Sequence, residues 1–163
     1  VECCEHLSAF TIHGEQYESN PDTDSFWGKP SRNMNYRLKD VVDVGDNFLY
    51  EYDFGSTTEL VLSIHSCRDG EKKNNEIVIL SRNNPPKILC SNCEQNEAKW
   101  VNPEGYYEGE PFWCDECLKA ESDEEGEYYK PEFLLPVCNS PRMRVCGYGG
   151  SDSYPDQFEP DEQ

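Results

Sequence analysis

Alternating hydrophobic and polar positions predict a β-rich chain with few helices. The clearest alternation runs through residues 48–54, in which every second side chain is aromatic, a period typical of a half-buried strand. A break at 55–56 separates it from a β-branched run at 58–66, and a turn at 69–70 precedes a third apolar run at 76–80. These three runs predict consecutive strands of an antiparallel meander.

The flanking segments complete the predicted elements. Residues 7–13 alternate loosely and predict a short strand ended by Gly14, whereas residues 18–35 are rich in turn formers and predict a loop. The segment that best favours a helix is Asp115–Ser122, which directly follows a cysteine pair. We therefore expect a sheet with one helical segment near its cysteines.

The charge lies mostly outside the predicted strands. The 163 residues include 33 acidic and 14 basic side chains, for a formal net charge of −19. Residues 36–89 carry nine acids against seven bases, whereas residues 94–127 carry twelve against two. So little clustered positive charge makes direct nucleic-acid binding an unfavourable interpretation. The acidic run 121–127 predicts a solvated loop or a docking surface for a basic partner.

The remaining composition bears on location and redox state. No run approaches the ~20 apolar residues that a membrane span needs, and no signal peptide opens the chain. Nine cysteines without such a signal favour a reducing compartment in which some thiols hold metal. We therefore expect a cytoplasmic protein, and a disulfide scaffold formed after removal of a signal is the alternative.

Two pairs of cysteines have the spacing of a zinc site. Cys90 and Cys93 form one CxxC pair, Cys114 and Cys117 form another, and twenty residues separate them. Each CxxC turn places two thiolates on one side of a knuckle, and two knuckles complete a tetrahedron at about 2.3 Å per Zn–S bond. Because four cysteines leave no open position, the spacing predicts one structural zinc in a ribbon over 90–120. Reduced buried thiols and two disulfides are the alternatives.

Further aromatic and cysteine residues accompany this spacing. Trp100 and Trp113 lie between the knuckles and are predicted to give the ribbon its apolar cover. Cys138 and Cys146 do not have knuckle spacing and are predicted to be small interior side chains. A second metal site shared with the two N-terminal cysteines is the weaker interpretation.

Catalytic and anion-binding residues are few. The three histidines show no catalytic spacing, and Asp53 near His65 across a hairpin is the one weak enzyme hypothesis, so we expect no catalytic site. Arg142 and Arg144 are the bases of an acidic stretch and are interpreted as internally paired rather than as anion contacts. Nucleic-acid binding would require these arginines together with the lysines at 72–73.

Three segments carry a resemblance to a known family. They are His6–Ile12, Tyr50–Gly55 and Leu135–Tyr148. They are similar to the His-Leu-x-x-Phe-x-Ile strand, the Tyr-Asp-Phe-Gly signature and the closing run of the plasmid pRiA4b Orf-3-like family, in a variant with an inserted cysteine-rich segment. The resemblance covers residues 6–150 and implies an α+β fold built on a curved antiparallel sheet. It also implies a family whose biochemical role is poorly defined.

The chain departs from this family in two places. Members usually begin with a strand and a helix before the segment that starts here at His6, so the chain looks N-terminally truncated and its sheet would lack an edge. The Asp, Trp and His of the family signature correspond here to Ser56, Thr58 and Leu60. Loss of a charge, a ring and an imidazole together argues for a scaffold over a catalyst.

These patterns predict four regions and one function. The regions are a β-rich core at 1–89, a zinc ribbon at 90–120, an acidic loop and return to the core at 121–150, and a disordered acidic tail at 151–163. We expect a non-enzymatic, zinc-binding scaffold that docks a basic protein or ribonucleoprotein through an acidic surface. A nucleic-acid-associated protein linked to mobile elements is the alternative, and a hydrolase-type enzyme is a weaker one.

Overall fold

The structure, a computed structural model, forms two compact units. It describes residues 4–21, 30–70, 78–104, 109, 111–125 and 133–151, with helix side chains up to residue 121. We call Glu2–Glu76 the sheet unit and Ile77–Gln163, to which Val1 is also assigned, the cysteine unit. Sheets with few helices agree with the predicted α+β class. The four-region division stays a prediction, and the tail from residue 152 lies outside the described residues.

The sheet unit contains a five-stranded sheet. Its strands are β1 Ser8–Ile12, β2 Glu15–Glu18, β3 Arg32–Asn33, β4 Asn47–Tyr52 and β5 Thr58–Ser63. Their order in the sheet is β3-β2-β1-β4-β5. Neighbouring strands are antiparallel except for β2 and β3, which run parallel. The sheet is therefore mixed, whereas an antiparallel sheet was expected. A short 3-10 helix at Leu38–Asp40 lies between β3 and β4.

Aromatic side chains form the interior of this sheet. Strand β4 buries Phe48, Tyr50 and Tyr52, as its alternation predicts. Phe10 on β1 pairs with Tyr50 on one side and with Tyr17 on the other, and the Phe10 and Tyr50 ring centroids lie 4.6 Å apart. Ile12, Tyr17 and Phe48 form the buried cluster, and rings of this size account for much of the apolar stabilisation.

The turn from β4 to β5 depends on Asp53. This buried residue has a left-handed backbone, with φ of 63°. Its carboxylate Oδ1 accepts hydrogen bonds from the backbone N–H groups of Gly55 at 3.2 Å and Ser56 at 3.3 Å. Asp tolerates this conformation because its short side chain caps its own turn. The Asp53-Phe54-Gly55 segment therefore shapes the corner between the two strands.

The predicted strands differ from the observed ones in two ways: one predicted strand is not observed in its described part, and two observed strands were not expected. The predicted third strand of the meander is wrong for its described part, because residues 78–80 are irregular; 71–77 lie outside the described residues. Val78 and Leu80 are 71% and 89% exposed, so their β-favouring side chains are not packed on a sheet. Strand β2 was not predicted, and β3 falls within the predicted loop.

The cysteine unit combines a small sheet with one helix. Strands β6 Trp100–Val101, β7 Phe112–Trp113 and β8 Leu135–Pro136 pair antiparallel in the order β7-β6-β8, and helix α1 spans Asp115–Glu125. Because α1 extends past the predicted Ser122, the start of the predicted acidic loop is helical. In the described part of the chain, no helix is long and apolar enough to cross a bilayer.

An apolar cluster holds this second unit together. Trp113, Leu118 and Leu134 form its buried centre, and Trp100 and Cys117 pack against it. The two tryptophans therefore lie where the sequence places the apolar cover of the cysteine segment. The cluster is small, so a module of this size gains limited stability from burial alone.

Candidate metal centre

The first cysteine knuckle is a tight turn tied to strand β7. The backbone N–H of Glu94 donates to the Cys90 carbonyl at 2.9 Å, which closes the turn around Cys93. Ser91 anchors it, because its backbone N–H donates to the Phe112 carbonyl at 2.8 Å and its hydroxyl accepts from the Phe112 N–H at 3.1 Å. The turn ends at Glu94 with a left-handed φ of 54°. These bonds hold the first two sulfurs beside the second pair.

The second knuckle is the transition from β7 into α1. Cys114 follows β7, and the N–H of Leu118 donates to its carbonyl at 3.0 Å as the first helical turn forms. Cys117 lies within that turn. Pairing of Trp100 with Trp113 sets the register of the hairpin and so brings the second knuckle against the first. The N-terminal end of a helix also favours the negative charge of a thiolate.

The four sulfurs form one group. The Sγ atoms of Cys90, Cys93, Cys114 and Cys117 all lie within 4.8 Å of one another, and Cys93 and Cys114 are 3.9 Å apart. Sulfurs at the corners of a tetrahedron with bonds of about 2.3 Å are about 3.8 Å apart, whereas a disulfide needs about 2.05 Å. None of the eight described cysteines forms a disulfide. The arrangement fits a metal ion with four thiolate ligands and no open position.

Backbone amides surround the first pair of sulfurs. The N–H groups of Asn96 and Gln95 bond to Cys93 Sγ and lower its pKa to about 6. Burial raises the pKa of Cys90, but N–H groups from both knuckles outweigh it, so the net direction is downward. Hydrogen bonds to the charged form favour it. The first knuckle is thus arranged to hold thiolates.

The second pair of sulfurs is held differently. Burial raises the pKa of both Cys114 and Cys117, and at Cys117 contacts with the other three sulfurs add to the effect. Crowded sulfurs resist a second and third negative charge for the same reason that like charges repel. A divalent cation at the centre of the group would reverse this preference and favour all four thiolates.

Side chains next to the sulfurs fix the geometry of the second knuckle. The Asn96 amide donates to Cys114 Sγ at 3.8 Å. Asp115 accepts from Trp100 Nε1 at 2.8 Å and from Lys99 Nζ at 2.5 Å, and these bonds, with that of Lys99 largest, lower the pKa of Asp115. Sequence spacing did not predict these contacts because they depend on the register between β6 and β7. Such neighbours orient metal ligands.

Comparison with known protein families identifies the family to which the N-terminal part of the chain is similar. The model described as Plasmid pRiA4b ORF-3-like protein matches residues 3–89, more than half of the chain. The chain belongs to the plasmid pRiA4b ORF-3-like family. The ORF-3-like match ends immediately before Cys90, so the four cysteines lie beyond it and the cysteine-rich variant stays a prediction. Neither the curated proteins nor the solved structures include a match to the chain.

The other cysteines of this ORF-3-like chain divide by burial. Cys138 is 8% exposed, as expected of a small interior side chain. Cys146 is exposed, so its predicted interior position is wrong. Among the described residues, Cys138 does not join a group of metal-ligating side chains, and Cys3 lies outside them. The second metal site thus gains no support from Cys138.

The charged residues considered for catalysis or anion binding also lie in positions that differ from those expected. His65 lies beyond the end of β5 that faces Asn47, whereas Asp53 follows the opposite end of β4, so the predicted proximity of Asp53 and His65 is wrong. His6 lies there instead, with Nδ1 3.8 Å from Asp53 Oδ1. Arg142 is fully buried, which removes it from any external surface. The lysines at 72–73 lie outside the described residues.

Proposed function

We propose that this protein is a non-enzymatic cytoplasmic scaffold that holds one structural zinc ion and docks a basic protein or ribonucleoprotein partner. The observation that carries the proposal is the cluster of four sulfurs within 4.8 Å of one another. Four thiolates at tetrahedral spacing suit zinc, and they fill its coordination shell. A closed shell holds structure rather than activating water.

The expected metal content follows from this cluster. We expect close to one zinc per chain by elemental analysis of purified protein, and loss of that zinc on combined Cys90→Ser and Cys117→Ser substitution, because both knuckles lose a ligand. Cys67→Ser is the matched control, since this exposed cysteine belongs to the sheet unit. A folded protein without bound metal, or with iron in place of zinc, would contradict the zinc assignment.

Exposed acidic side chains on the cysteine unit support the docking part of the proposal. Five carboxylates of this unit are exposed in the described residues: Glu94, Glu97, Glu104, Asp115 and Glu116. Lys99 is ion-paired with Asp115 and offsets that charge, so the other four carboxylates carry the net negative charge. Surfaces of one charge sign attract partners of the opposite sign and raise their rate of association.

The position of Arg142 favours a basic partner over a nucleic acid. The nucleic-acid hypothesis needs Arg142 and Arg144 on the surface, because phosphate contacts come from accessible basic groups. Arg142 is fully buried and Arg144 is half-buried. Arg142 therefore offers phosphates no accessible group, and Arg144 is only partly accessible.

Binding measurements separate the two hypotheses. We expect immobilised poly-L-lysine to retain the protein in a salt-sensitive manner, and a triple substitution of Glu94, Glu97 and Glu116 to Gln to weaken retention severalfold. The control replaces Asp40, Asp43 and Glu59, three exposed carboxylates of the sheet unit, with the corresponding amides. This control changes the net charge by the same amount as the triple substitution on the cysteine unit. Equal loss in both variants would reject a localised docking surface. Tight binding to duplex DNA at physiological salt would reject the acidic scaffold.

A further inference from the structure

The sheet unit carries a cavity of about 570 Å³ beside strands β1 and β2. Its apolar lining is formed by Ile12, Tyr17, Val41 and Val42, which belong to the buried cluster of this unit or pack against it. The volume is within the range of ~300–1,000 Å³ that is typical of small-molecule sites. The cavity is therefore large enough for a small metabolite, and its lining favours one with an apolar group.

Two sets of polar contacts fix the walls of this cavity. Asp46 Oδ2 accepts the backbone N–H of Asp43 at 2.7 Å and also lies 2.8 Å from His13 Nε2. Arg32 Nη2 lies 3.4 Å from Glu15 Oε2. Because these contacts join separate parts of the chain around the cavity, its walls are already formed before a ligand arrives, as is usual for binding sites. They also use His13 and Arg32, two of the basic groups that line it.

Three further charged side chains line the cavity and have no such use. They are Lys39, Asp40 and Asp43, which are exposed and whose side chains pair with no other described residue. A ligand with only negative charge would be repelled by the two carboxylates, and one with only positive charge would be repelled by the ammonium group. Both signs of charge come from one short segment, so the cavity suits a ligand that carries an ammonium group and a carboxylate together.

Two tyrosines give the cavity an aromatic wall. The Tyr36 ring lies edge-on to Tyr17, with ring centroids 5.3 Å apart and an angle of 82°. The Arg32 guanidinium carbon lies over the Tyr17 ring, 5.8 Å from its centroid, whereas Tyr36 is 46% exposed. Aromatic rings pack favourably in edge-to-face or offset arrangements. Tyr36 therefore offers ring surface to an aromatic group of a ligand.

We propose that this cavity binds a free α-amino acid with an aromatic side chain. The α-carboxylate pairs with Lys39, the α-ammonium group pairs with the carboxylates of Asp40 and Asp43, and the ring packs against Tyr36 and the apolar lining. Hydrogen bonds between charged groups are about twice as strong as neutral ones, so the two charged ends set the specificity. The inference is independent of the proposed zinc function, because all of these residues belong to the sheet unit and the four cysteines do not.

Four compounds test the parts of this ligand separately. Isothermal titration calorimetry of the purified full chain compares L-phenylalanine with 2-phenylethylamine, which lacks the carboxylate, 3-phenylpropanoate, which lacks the amine, and L-alanine, which lacks the ring. We expect saturable binding of L-phenylalanine with a millimolar or lower Kd. Each of the other three compounds should bind at least about tenfold more weakly, because each leaves charged groups or apolar surface of the cavity without a partner.

Two cavity variants assign the charged contacts to residues. In Lys39→Met, L-phenylalanine and 2-phenylethylamine should bind equally, because the partner of the carboxylate is gone. In the double variant Asp40→Asn and Asp43→Asn, L-phenylalanine and 3-phenylpropanoate should bind equally for the corresponding reason. Glu59→Gln is the matched control, since Glu59 is an exposed carboxylate of β5 that does not line the cavity, and it should keep the unsubstituted affinity.

Several results would overturn the assignment. They are the absence of saturable L-phenylalanine binding, equal affinities for the four compounds in the unsubstituted protein, and unchanged affinity for L-phenylalanine in both cavity variants. An equal loss in Glu59→Gln would mean that net charge rather than the cavity governs binding, and it would also overturn the assignment. None of these results changes the expected zinc content, so failure here is distinguishable from failure of the proposed function.

Discussion

Chelation of the metal is expected to unfold the cysteine unit and to leave the sheet unit folded. The cluster around Trp113 is small, with Leu118 and Leu134 as its other buried members. Apparent zinc binding free energies of about 10–16 kcal/mol exceed what so few side chains contribute. Once the four thiolates lose their common ion, the knuckles have only short strands and one helix to hold them.

Hydrogen exchange measured by mass spectrometry resolves this expectation by segment. Peptides that cover Cys90 and α1 should lose protection when the chelator is added, whereas peptides that cover β1 and β4 should keep it, because none of the four ligands belongs to the sheet unit. Replacing the chelator with its zinc complex gives the control. Unchanged protection around Cys90 after proven metal loss would show that the unit folds without a metal.

Truncation of Phe48 is expected to destabilise the sheet unit by about 3–5 kcal/mol, the usual range for a buried Phe→Ala change. Phe48 is 7% exposed and belongs to the cluster with Ile12 and Tyr17. Its removal leaves a cavity among rings that are held in place by strand pairing. The free energy of unfolding from denaturant titration measures the effect.

Val61→Ala is the matched control for this truncation. Val61 lies on neighbouring strand β5 but is 75% exposed, so its loss should change the free energy of unfolding by less than about 0.5 kcal/mol. Losses of the same size in both variants would mean that the aromatic face of β4 does not form the core. The comparison therefore tests the assignment of inner and outer faces.

The part of the fold that could be predicted from the sequence is the strands with regular alternation of apolar and polar residues. Strand β4 places three aromatic rings on one face, and the period of two alone identifies it. Strand β2 reads Glu-Gln-Tyr-Glu, with one buried ring at Tyr17, and its pairing with β1 arises from a tight turn rather than from its own hydrophobicity. The run at 76–80 has the right composition, but strand formation needs a partner edge, which sequence does not specify.

The metal centre was predictable in its ligands and unpredictable in its surroundings. Two CxxC pairs at this spacing are typical of a four-cysteine zinc site whatever sequence lies between them, so the ligands could be predicted from spacing. The contacts of Asn96 and Asp115 depend on which residues of β6 and β7 face each other. That register is set by the Trp100–Trp113 pairing, a tertiary event with no local signature.

The hydrogen bond from the Trp100 indole to Asp115 has a practical consequence. Asp115 lies between the two ligands of the second knuckle, so rearrangement of that knuckle changes the polarity next to an intrinsic fluorophore. Indole emission depends on such polarity. The unlabelled chain thus carries an optical reporter beside its sulfur cluster, with which loading can be followed in real time by stopped-flow mixing.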